Sequence, residues 1–184
     1  MTVSTTRTMC LTAGLIGLFM MGACATAPRS DEGKAEIVRD ADVALAKAKD
    51  VDPTLVPVLG DAAGYAVFPS IGKGGAVVGG AYGKGVLYEG GRAVGYCDLS
   101  QATIGAQLGG QAFTQIVAFE TSEALETFKR GDLRFSAQTT AVAVRSGAGA
   151  NAKYADGVAA FIMDEAGLMV EASVGGQQFS YQAK

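Results

Sequence analysis

The side chains of this sequence that could do chemistry are few, and their types narrow what that chemistry can be. No histidine occurs among the 184 residues, so the commonest general base and the commonest metal ligand are both missing. Serine and cysteine mechanisms that rely on an imidazole are excluded, which leaves carboxylate, lysine or tyrosine chemistry for any catalytic reading. Asp98, Glu120, Asp132, Asp156, Asp164 and Glu165 are scattered over predicted strand ends and turns, and no spacing fixes two of them across a shared substrate. Cys10, Cys24 and Cys97 lack the spacing of a metal cluster. Cys97, in GYCDL, reads as a small buried apolar residue. The sequence therefore predicts no enzyme, no metal and no cofactor.

Two lysines stand among glycines, in Gly72-Lys73-Gly74-Gly75 and Gly83-Lys84-Gly85. A phosphate loop would need glycine six residues before each lysine and Ser or Thr after it. Val67 and Val78 occupy the first positions and Gly74 and Gly85 the second, so the motif is absent. Gly147-Ala148-Gly149-Ala150-Asn151-Ala152 fits a looser dinucleotide pattern, but no helix and parallel strand follow it. What the flexible, glycine-flanked Lys73 and Lys84 suit is a lipid phosphate. Lys34, Arg39, Lys47 and Lys49 are the second-rank candidates. A net charge of -3 and the lack of any Lys/Arg run interleaved with aromatics exclude a nucleic-acid partner.

The N-terminus reads as an address. Arg7 precedes an uncharged run from Thr8 to Pro28, and the run contains Met21-Gly22-Ala23-Cys24. That order of basic start, apolar middle and small-residue end is a secretory signal. Met21 to Cys24 resemble a bacterial lipobox, whose cysteine receives diacylglycerol and fatty acid such as palmitate. Residues 1–23 are thus expected to be a signal peptide, Cys24 the lipidation site and 24–34 a tether. Ala25, where an aspartate would resemble an inner-membrane retention signal, favours the periplasmic face of the outer membrane. An ordinary signal peptide or a retained span remains the alternative, since the run is just long enough to cross a bilayer.

The elements that must position these residues follow from periodicity. Ser30 caps a predicted helix running to about Asp50, with Asp31 and Glu32 in its first turn and Lys47 and Lys49 in its last. Its Ile37, Val38, Ala41, Ala44, Leu45 and Ala48 form one alanine-rich stripe, which suits close packing on a sheet better than insertion into a bilayer. Asp52-Pro53 starts a turn or two of helix before Gly60. Gly64 to Phe68 is a strand expected to stop at Pro69. The stretch from Pro69 to Gly110 holds 13 of the 26 glycines, and glycine inside alternating strands implies sharp curvature or close backbone approach. Gln111 to Glu120 is apolar on both faces and should be central. Thr121 to Arg130 is a helix stopped by Gly131. Phe135 to Arg145 is a strand, Arg145 to Gly157 a loop, Val158 to Asp164 and Leu168 to Val174 a hairpin, and Gln177 to Tyr181 a last strand. The predicted fold is a single α+β domain with a strongly curved, mostly antiparallel, half-barrel-like sheet and flanking helices.

Taken in order, Tyr65-Ala66-Val67-Phe68-Pro69, Gly72-Lys73-Gly74-Gly75, Gly79-Gly80-Ala81-Tyr82-Gly83-Lys84-Gly85, Gly95-Tyr96, Gly105 to Gln111, Ala159-Ala160-Phe161 and Gly167-Leu168-Met169 resemble the SYLF domain over residues 35–184. The resemblance implies lipid binding, and for a secreted bacterial chain the transferable part is binding of phospholipid. The expected function is that of a lipid-anchored envelope protein that binds phospholipid through its curved sheet and N-terminal helix. The alternative is a scaffold for envelope protein partners. An open apolar groove would favour the first, and a sealed core the second.

Overall fold

The computed structural model describes residues 26–75, 78–104, 109–135, 141–143, 147–164 and 176–184. Among these residues three α-helices, α1 (Asp31–Val51), α2 (Leu55–Asp61) and α3 (Ser122–Lys129), accompany eight strands. The strands are β1 (Gly64–Gly75), β2 (Val78–Glu89), β3 (Arg92–Ile104), β4 (Gly109–Phe119), β5 (Arg134–Phe135), β6 (Ala141–Ala143), β7 (Val158–Asp164) and β8 (Gln177–Ala183). They form one sheet in the order β5-β8-β3-β2-β1-β4-β7-β6. Every pairing is antiparallel except that of β6 with β7. The α+β class and the curved, mostly antiparallel sheet are as expected. The predicted strand from Leu168 to Val174 lies outside the described residues, as do 136–140 and 144–146 of the one predicted at Phe135 to Arg145.

Contacts across the sheet measure the curvature. Flat strands lie about 4.8 Å apart, so β8 and β4, four places apart, would be separated by about 19 Å. Yet the Gln115 amide on β4 donates to Gln177 Oε1 on β8 at 2.8 Å, and the rings of Phe68 on β1 and Phe179 on β8 are 5.9 Å apart. The sheet therefore rolls up. Glycine makes this possible where strands press together: a Cβ on Gly85 would stand 2.6 Å from the Val67 carbonyl oxygen and 2.7 Å from the Phe68 ring.

Among the described residues the concave face carries a cluster of large side chains. Phe68, Phe119, Phe128 and Phe179 form a chain of rings at 4.7 to 5.9 Å, with Phe128 supplied by α3. Ring contacts of this kind contribute about 0.5–1.5 kcal/mol each beyond area burial. The polar residues Gln101, Gln115 and Gln177 also point inward and are buried. They satisfy one another, Gln177 donating to Gln115 at 3.0 Å and to Gln101 at 3.2 Å.

The convex face carries α1 and α2. Ala41, Ala44, Leu45 and Ala48 of α1 pack with Tyr65, Val67, Val86 and Tyr88, so the alanine stripe is core, as its composition predicts. Tyr88 donates to Asp42 at 2.8 Å and stacks on Tyr65 at 5.3 Å, which bolts the helix to the sheet. α1 begins at Asp31 with the Ser30 hydroxyl accepting from the Gly33 amide, so the expected tether boundary at residue 34 falls inside the helix. Among the described residues no helix is long and apolar enough to cross a membrane.

One strand boundary differs from expectation. Pro69 does not stop β1. The pairing register shifts between Val67 and Ser70 on one side and between Phe68 and Ile71 on the other. A bulge absorbs the proline, which lacks an N–H for the ladder. The extra residue also changes parity, so Phe68 and Ile71 both join the concave cluster.

Candidate functional site

Lys84 is placed by the β2–β3 hairpin. Gly90 and Gly91 turn it with φ of +53° and +75°, the left-handed values a tight hairpin turn requires. A bulge in β3 shifts the register after Tyr88, bringing Lys84 opposite Asp98. Its ammonium donates to Asp98 Oδ1 at 3.0 Å and to the Thr26 carbonyl at 3.1 Å, and lies 5.9 Å from the Tyr82 ring centre. Burial alone would lower the Lys84 pKa, but Asp98 and Tyr82 outweigh it and hold the pKa above its ordinary value. The group stays charged.

Lys84 closes one side of an open groove of about 400 Å³ between α1 and the sheet. Helix α1 contributes Ile37, Asp40, Val43, Ala44 and Lys47, and the sheet floor adds Pro69, Ser70, Thr114 and Met163. The helical residues other than Val43 follow i, i+3, i+7 and i+10 spacing, so one flank of α1 faces the groove while Ala41, Leu45 and Ala48 face the core. The bulge at Pro69 shapes the floor, where Thr114 donates to the Pro69 carbonyl at 2.8 Å. The volume lies in the range of small-molecule sites, about 300–1,000 Å³. Its lining joins apolar surface to two ammonium groups and one carboxylate.

The sequence-selected cations are dispersed. Lys84 and Lys47 meet at the groove. Lys73 pairs with Ala81, a residue of the concave cluster, so it stands on the other face of the sheet from Lys84. Burial lowers the Lys73 pKa. Lys34 makes an exposed 3.2 Å ion pair with Asp31, Arg39 is exposed on α1, and Lys49 is half-buried in its last turn. None of these three lines the groove. Cys24 lies outside the described residues, but the chain two residues on is fixed. Thr26 Oγ1 is 3.1 Å from Ser180 Oγ, the Ala27 amide donates to Gln182 Oε1 at 3.2 Å, and Ala27 is buried.

Sequence reasoning named Asp98 only as one of the scattered carboxylates, without its pairing to Lys84, and missed Met163 and Thr114, since these positions depend on register. It also left the loop at Gly147 without a role. The Gly147 and Gly149 amides donate to the two oxygens of the buried Asp52 at 3.0 and 2.7 Å. The backbone donors that could hold a phosphate therefore hold a carboxylate of the same chain, tying the loop to the start of α2. Burial would raise the Asp52 pKa, but bonds from the Thr54 hydroxyl and the Gly149, Gly147 and Thr54 amides bring it below its ordinary value of 3.8. Cys97 is buried and its thiol pKa is pushed well up by that burial and by Asp98, which makes it unreactive. Among the described residues no three His, Cys, Asp or Glu side chains converge as metal ligands.

No family model matches the chain. A curated protein of Aeromonas veronii, Beta cell expansion factor A, is 28% identical over 151 residues, which is 80% of this chain and 57% of that protein. The chain thus spans little more than half the length of this relative, and the similarity runs through most of the α+β unit described above.

Proposed function

We propose that this protein is anchored to the cell envelope through acylated Cys24 and binds phospholipid non-covalently in the groove beneath α1, without catalysing a reaction. The observation that carries this reading is the open groove, in which Lys47 and Lys84 flank apolar side chains. The resemblance to the SYLF domain supports lipid as the ligand class. The convex groove is the proposed site because Lys47 and Lys84 line it, whereas Phe68, Phe119, Phe128 and Phe179 occupy the described part of the concave face. The expected setting is the periplasmic face of the outer membrane.

A lysine near an anionic surface contributes about 1 kcal/mol, and Lys84 already pairs with Asp98, so Lys47 and the paired Lys84 give weak binding that the anchor must reinforce. Flotation of the Cys24→Ala protein with phosphatidylglycerol vesicles tests the groove apart from the anchor. Binding that falls with added salt is expected. Failure to float at any anionic content would remove phospholipid as the ligand. The scaffold reading, with envelope proteins as partners, gains from the large side chains packed on the concave face, and it would be favoured if the unacylated chain retained a protein partner but no lipid.

A further inference from the structure

The segment following the acylation site behaves as part of the folded domain. Three bonds hold Thr26 and Ala27 to the convex face, one from Lys84 on β2 and two to Ser180 and Gln182 on β8. Lys84, Asp98 and Ser180 lie in one row across three strands, and Thr26 sits on that row, bonded to both Lys84 and Ser180. A slack tether would have no reason to bury an alanine or to use a half-buried lysine as a donor.

We propose that residues 26–27, docked on Lys84, Ser180 and Gln182, act as a fixed spacer that holds an acylated Cys24 beside the groove and turns the convex face toward the phospholipid surface. This rests on the reading of Cys24 as the anchor. Two residues span at most about 7 Å, so the bilayer surface must lie close to Lys84. The exposed large apolar side chains agree with that orientation. Val43 and Val51 on α1, Val56 on α2 and Tyr82 beside Lys84 all belong to the helix-covered side, and none of them is on α3, which packs against the concave face. Tyr82 stands where an aromatic ring meets lipid headgroups. The spacer makes engagement of the groove intramolecular, at a high effective lipid concentration.

The test uses the acylated protein in vesicles with a fluorophore on one introduced thiol, since Cys97 is buried. Ser100→Cys reports the convex face near Tyr82, with which it pairs, and Glu126→Cys reports α3. Headgroup-region spin-labelled lipid should quench the first at least about twofold more than the second. Inserting about 15 Gly/Ser residues between Ala25 and Thr26 lets the anchor wander by roughly 20 Å and should erase the difference while the protein still floats. Equal quenching at both positions in a protein that floats overturns the spacer and leaves the anchor intact. A protein carrying Cys24 that does not float with vesicles overturns the anchor and the spacer together.

Discussion

The two faces of the rolled sheet are built from the same strands and solve different problems. On the concave side phenylalanines and a closed set of glutamine amides occupy the space. On the convex side an alanine-rich helix lies close on one flank and leaves the other open, with Val43 and Lys47 over Pro69 and Thr114. Large side chains occupy the described part of the concave face, and the groove lies where small ones seat the helix on the convex face.

If the concave face is the source of stability, truncating it should have the largest effect. Phe68→Ala removes a fully buried ring and should cost about 3–5 kcal/mol, read as a lower urea midpoint with little change in vesicle affinity per folded molecule. A smaller loss is expected for Asp52→Asn, which removes the charge that accepts from Gly147, Gly149 and Thr54. About 2 kcal/mol at neutral pH is reasonable for bonds to an ionised group. The folded carboxyl titrates below its ordinary 3.8, so its contribution is complete above the unfolded value and is lost as pH falls below about 4 through the folded one. Wild type and Asp52→Asn should converge in acid melts, and a constant gap down to the lowest pH would exclude this role.

On the convex face the effects should appear in binding instead. Lys47→Glu replaces an exposed cation and should weaken anionic-vesicle binding roughly tenfold at low salt, as expected for about 1–2 kcal/mol, with a melting midpoint near wild type. Screening should shrink the difference as salt rises. Lys73→Glu, across the sheet, should change affinity least, about twofold or below. An equal loss from the two substitutions would mean that both faces meet lipid.

Much of this arrangement is legible in the sequence where local rules decide it. Ser30 and Thr121 cap their helices by accepting amide bonds from Gly33 and Ala124, and Gly131 takes the left-handed conformation after α3 with φ +74°. Register is not local. A plain hairpin about Gly90 and Gly91 would set Lys84 opposite Cys97, whereas the bulge in β3 moves it to Asp98 and turns a free-looking cation into an ion pair. Pro69 misled for the same reason, because a bulge can take up a residue that otherwise ends a strand. The docking of Thr26 on Ser180 joins positions 154 residues apart, and no periodicity announces such a contact.

The buried amides of Gln101, Gln115 and Gln177 have one more effect. Three strands that are not all neighbours meet through groups that must pair or suffer desolvation, about 1–3 kcal/mol for each left alone. A strand that slid by two residues along its partner would keep its backbone ladder and the faces of its side chains yet strand an amide in oil. The trio thus acts as a lock that admits a single alignment, and the diameter of the roll is decided by how far apart three glutamines can be and still touch.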